Sequence, residues 1–360
     1  MLAPLLEFRP TNRPWHFPVL AGLSVGLPLL AGHWTGNLAG DKLASLAGLV
    51  ILYTNYEAGL VHRMLTLMAC SFGLLVAFVA GALCGGHPLL AAGGLGVFAA
   101  ALHVVLYYLK LHRPPGNFFF IMVASVAACL PFELGSLPAR VGYVALGTML
   151  ACGLGLLYSL LALRHQAPAP AVITMPKGRV VNLVEALTFG GFVGLALLLA
   201  YWLHLDTPYW VPVSCMAVMQ GASTVHVWQR GVQRVLGTLV GLVLAWAALR
   251  LHPSLFSIGV AIVGLQIVVE VLVVRNYAVA VVFLTVLTIF LAESDATLLQ
   301  DPNGLLLARG LDILLGSALG AVGGWVLYHE RLHALAARQA RRTRMVLGRQ
   351  QKRAATNPRA

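Results

Sequence analysis

The residues best suited to chemistry are charges set inside apolar stretches. Arg309 and Asp312 stand three apart within the run 305–327, so on a helix they share a face. A charge at membrane depth is costly and normally meets a partner or a cavity. Two roles fit this pair: mutual neutralisation as a local ion pair, or a carboxyl at Asp312 that takes up and releases a proton. Glu270, near the end of the run 254–274, is a second carboxyl of this kind, and Arg275 follows about one turn later. Arg230 and Arg234 are spaced i,i+4 at the start of the ninth apolar stretch. A guanidinium fork can hold a carboxylate through two parallel hydrogen bonds, so these arginines could receive an organic anion. They could equally serve only to fix orientation across a bilayer. His103 and His226 are lone histidines, and imidazole changes charge near neutrality. Helix contact is the favoured reading for both, a proton relay the lesser one. There is no HExxH, Walker loop, GxSxG or clustered Cys/His pattern, so neither an enzyme nor a metal or other cofactor is expected. The five cysteines form no CxxC and read as small buried residues.

These residues must be positioned by a membrane scaffold. Of 360 residues 59% are hydrophobic and 10% charged, and the mean hydropathy is +0.84. A soluble domain carries about 25% charged residues. The solvent of this chain is therefore largely lipid, where helices satisfy their own backbone. Apolar runs cover 17–31, 43–53, 64–84, 88–108, 118–130 and 141–163, then 183–203, 209–219, 232–249, 254–274, 277–291 and 305–327. The expected fold class is all-α and polytopic, with about twelve spans. Arg9 and Arg13 ahead of the first run could suggest a signal peptide, but the same pattern opens the second half, so a retained span is expected.

The domain plan is a six-helix module over 1–164, a Pro-rich linker over 165–181, a second six-helix module over 182–328 and a basic tail over 329–360. The stretches 137–157 and 305–325 align with Arg140 over Arg309 and Gly147 over Gly316, and 21–34 aligns with 190–203. An even number of spans per half makes such repeats parallel. With the N-terminus in the cytoplasm, 20 of the 24 Lys and Arg fall on the inner side, leaving Lys42, Arg140, Arg250 and Arg309 outside. Both termini are thus expected inside, in a bacterial inner membrane. Net charge is +12, but its distribution argues for lipid rather than nucleic acid as the partner. The tail is expected either to lie on anionic lipid or to remain solvated. Two pairs of short runs, 43–53 with 209–219 and 118–130 with 277–291, occupy matching places in the halves. Interrupted spans of this kind point to a transport site, and Pro212 is expected to break one of them.

The stretch 209–245 resembles the fusaric acid resistance protein-like family, the aromatic acid exporters. The likeness rests on Tyr209-Trp210, then Arg230-x3-Arg234-x2-Gly237-Thr238-x2-Gly241, then NYAVAVVFLT from Asn276, then Arg309-x2-Asp312-x3-Gly316-x3-Gly320. It is good over roughly 184–330 and weak in the first half, where Arg63 stands alone. The resemblance implies export of aromatic or other organic acids driven by proton motive force. It makes Arg230, Arg234, Tyr209, Trp210 and Asn276 the substrate-binding candidates, with Asp312 and Glu270 as proton-coupling carboxylates. Many members also carry a large cytosolic domain, which the 165–181 linker is too short to hold. Gly237 with Gly241, and Gly316 with Gly320, have small-xxx-small spacing and are expected to pack helices closely. A passive anion channel and a membrane scaffold are the competing readings, and lipid-facing surfaces leave room for a homodimer.

Overall fold

The computed structural model describes residues 8, 10, 11, 13–109, 115–163, 179–221, 223–251, 253–293 and 302–329. The linker and basic tail expected from the sequence lie almost wholly outside them. Among the described residues there is no strand. The α-helices are α1 (His16–Thr35), α2 (Leu38–Gly48), α3 (Leu60–Cys84), α4 (Pro88–Tyr108), α5 (Phe118–Cys129), α6 (Leu137–Leu161), α7 (Arg179–Trp202), α8 (Trp210–Met219), α9 (Thr224–Leu249), α10 (Leu255–Val273), α11 (Tyr277–Glu293) and α12 (Pro302–Tyr328). A 3-10 segment, Leu49–Tyr53, continues α2.

Local chemistry sets several of these boundaries. Asn37, Ser223 and Ser254 accept hydrogen bonds from backbone N–H groups in the first turns of α2, α9 and α10. Pro88 opens α4, where its missing N–H costs nothing. Gly36, with φ of 69°, closes α1 in the left-handed conformation. Pro212 does not break α8, contrary to expectation. It falls in the first turn, whose N–H groups have no intrahelical acceptor.

Among the described residues seven helices are long and apolar enough to cross a membrane: α3, α4, α6, α7, α9, α10 and α12. Their outer faces carry large apolar side chains. On α3, Leu65, Met68, Phe72 and Val76 form an exposed stripe at helical spacing. A stripe of this size suits lipid tails and would be a liability in water. The short helices behave oppositely. All ten residues of α8 are buried, as are eight of the twelve in α5. Ten residues span about 15 Å, half the hydrocarbon thickness. Such a helix survives at that depth only when its ends meet protein or a cavity. The long helices therefore form a lipid-facing shell around short ones. We expect Cys215 on α8 to be inert to a maleimide in the native protein and to react on unfolding, which a mass-shift assay would follow.

The packing partners follow one scheme. α2 packs on α1 and α6, and α8 packs on α7 and α12. α3 packs on α5 and α6, and α9 packs on α11 and α12. Two further contacts join the halves: α4 with α7, and α10 with α1. These seams are floored by glycine. A Cβ on Gly96 or Gly190 would meet the other's backbone carbonyl across the α4–α7 seam. A Cβ on Gly22 would meet the Val263 carbonyl across the α1–α10 seam. Sequence reasoning singled out neither seam.

Candidate functional site

A cavity of about 2130 Å³ opens between the halves, walled by the short helices α2, α5, α8 and α11 and by the starts of α3 and α9. Arg230, Arg234, Tyr209, Trp210, Asn276 and Glu270 all line it, as does Arg309. Asp312 does not. It is fully buried behind the wall, where it accepts a hydrogen bond from the Thr207 hydroxyl.

The two arginines of α9 converge on a residue that the sequence did not single out. Arg234 donates from Nη1 to the Tyr277 hydroxyl at 3.4 Å and from Nη2 to Ser214 Oγ at 3.1 Å. Arg230 lies over the Tyr277 ring, 4.4 Å from its centre. The phenol is thus held between two guanidinium groups, which stack well on aromatic faces. Arg230 Nε also donates to the Ala217 carbonyl at 3.2 Å. That carbonyl sits in the last turn of α8, where acceptors have no intrahelical donor and the helix end is partly negative. Arg234 is 5% exposed, and its Nε lacks a hydrogen-bond partner.

Arg63 plays a comparable part in the first half. It is buried and donates to the carbonyls of Asn55, Tyr56 and Ala58, just past the 3-10 end of α2. The common signal is an arginine near the start of the long helix that follows a short one.

Toward the opposite end, Arg309 lies over the Trp210 ring at 3.3 Å and donates to Thr288 Oγ1 at 2.7 Å. Tyr209 and Trp210 stand ring to ring at 5.1 Å. Asn276 caps α11, accepting from the Val279 N–H at 3.1 Å. Glu270 is met by Arg13, 2.7 Å away and 257 positions earlier, and by the Gln266 amide at 3.3 Å. His103 faces Glu185 at 3.9 Å across the α4–α7 seam. The four glycines sit at close backbone approaches. A Cβ at Gly237 or Gly241 would meet the Ala278 or Val282 carbonyl of α11, and one at Gly316 or Gly320 the Val211 or Cys215 carbonyl of α8.

This arrangement can neutralise and orient an anion with an apolar body. Residues 195–323 match a family model described as fusaric acid resistance protein-like. That stretch of the chain is similar to the family. The chain is also similar to "Uncharacterized membrane protein YvaC" of Bacillus subtilis (strain 168), 36% identical over 149 residues. That match covers 41% of this chain and 23% of the relative, so the chain spans less than a quarter of that protein's length. No solved structure matches. The helices and the named relative together mark a membrane protein. The family stretch holds α8 to α11 complete and most of α12, including Arg230, Arg234, Tyr277 and Arg309, whereas Arg13 and His103 lie outside it.

Proposed function

We propose that this chain is a secondary transporter exporting small organic acids, aromatic or other carboxylates, driven by the proton motive force. The observation that carries the reading is the cavity itself: it lies between the halves, beside four short helices, with Arg230, Arg234 and Arg309 on its largely apolar wall. An anion entering it would exchange water for guanidinium forks while its apolar body met Tyr209, Trp210 and Tyr277. Twelve spans in two parallel repeats fit this role. Supporting them, packing partners exchange in register when the helices of one half are swapped for those of the other, including α4 with α7 against α10 with α1. The basic ends then face the cytoplasm of a bacterial inner membrane, where an exporter takes up its substrate.

Glu270 is the coupling carboxylate on the cavity wall, and Asp312 the one behind it. A passive anion channel is the second reading, and it is favoured by that recessed position of Asp312. Proteoliposomes with an imposed pH gradient and radiolabelled benzoate separate the two. The expected result is uphill movement that a protonophore abolishes. Asp312→Asn should remove at least about 90% of uphill flux, a barrier change of about 1.4 kcal/mol, and leave downhill exchange. Strictly downhill flux in the parent protein would overturn the transporter reading, and intact uphill flux in the variant would remove Asp312 from coupling.

A further inference from the structure

Among the described residues an acid–base pair crosses each of the two main seams between the halves, at the same end of the bundle. At the α1–α10 seam the pair is Arg13 with Glu270, at 2.7 Å. At the α4–α7 seam it is His103 Nε2 with Glu185 Oε2, at 3.9 Å. All four residues line the cavity. In the first pair the basic partner cannot switch, because arginine keeps its charge. The second differs in one respect: imidazole gains and loses its charge in the physiological range.

We propose that His103 and Glu185 form a proton-binding clamp across the α4–α7 seam. A proton on His103 draws the pair together and closes the arginine-bearing end of the cavity; its loss releases the seam. One proton adds to the imidazole nitrogen and leaves again, and no other bond changes. The inference rests on the exporter reading for its purpose. A seam that closes on protonation and opens on its loss gates the arginine-bearing end of the cavity by pH. At the seam Gly96, Gly190 and Gly194 bring backbone close to backbone, beside the Cβ of Ala100, so the two helices run near enough for the pair to meet.

Several groups surround the pair among the described residues. Phe189 on α7 lies 5.7 Å from the imidazole, ring centre to ring centre. From α12, Tyr328 is within electrostatic reach of both Glu185 and Arg230 of α9. From α3, His62 lines the same cavity, while Arg63 is committed to backbone carbonyls. Tyr107 is the neighbour on α4 itself, and α5 offers only the Cys129 thiol.

The test uses spin labels at Tyr108 and Leu183, exposed positions on α4 and α7 near the pair, in a full-length chain whose five cysteines are replaced by alanine. Dipolar broadening should be strong at pH 5.5 and fall at least twofold at pH 8.5. His103→Gln and Glu185→Gln should each give the weak signal at both pH values, and His103→Lys the strong signal at both. In the native-cysteine background, His103→Lys should lower uphill benzoate flux at least tenfold. A His103→Gln protein that keeps the parent pH response, or a His103→Lys protein with unchanged uphill flux, overturns the proposal. Should the parent protein move no benzoate, the exporter reading falls while the spectra still decide the clamp.

Discussion

Arg234→Ala should lower the initial rate of benzoate transport in proteoliposomes by about 10- to 100-fold, the effect of losing one charge-assisted hydrogen bond to an anion at about 1.5–3 kcal/mol. The side chain is buried on the cavity wall and holds its fork with Ser214 and Tyr277, leaving Nε without a partner. Such a cation is expensive at membrane depth unless an anion visits it. Arg234→Lys separates charge from shape, because an ammonium keeps the positive charge and loses the planar fork. Its rate should lie between those of the parent and Arg234→Ala, with weakened half-saturation. Equal rates in all three proteins would mean that Arg234 serves packing alone. Thermal stability recorded beside flux distinguishes a damaged fold from a damaged site.

Gly316→Val should cost the protein its stability, whereas Gly310→Val on the same helix should not. A Cβ at position 316 would press on the Val211 carbonyl, the Ser214 side chain and the Cys215 backbone nitrogen. These atoms belong to α8, which is buried along its whole length and has no free side toward which to yield. Overfilling such a contact costs about 1–3 kcal/mol, which in a chain of this length lowers the melting temperature by about 1–4 °C. At position 310 the nearest atom is Leu242 Cδ1 at 3.5 Å, ordinary contact distance. Fluorescence-detected size exclusion after a temperature series measures both variants side by side. Equal midpoints would show that α8 and α12 can part more easily than their backbone contact implies.

Much of the scaffold was legible because lipid imposes a simple rule on composition. Each of the twelve apolar runs corresponds to a helix, and the four short runs fall on the buried helices α2, α5, α8 and α11. Some runs start late: 43–53 belongs to α2, which begins at Leu38 and carries Asp41 and Lys42 in its polar first turns, and 232–249 to α9, which begins at Thr224 with Arg230 in its early turns. An apolar window passes over such residues, although an acid near a helix N-terminus is favourable. Arg230 and Arg234 were legible as a pair from their i,i+4 spacing. Tyr277 was not, since only the packing of α9 on α11 brings the phenol between them. The same limit hid the partners of Glu270 and His103. Arg13 lies 257 positions from Glu270, and no periodicity links residues on different helices. Asp312 shows the converse: its helix face was clear from spacing, but whether that face met the cavity or the neighbouring backbone depended on how α12 sits against α8.

The burial of α8 also bears on how the chain is made. Ten residues are too few to enter a bilayer as an independent helix. The segment must therefore go in with α7 as a hairpin, its far end still wet, and wait for the ribosome to deliver α12 roughly a hundred residues later, a delay set by the distance from Trp210 to Pro302. Until then the half-site is open, and the thiol of Cys215 marks the interval: reactive in chains stalled before Pro302, sealed in the finished protein.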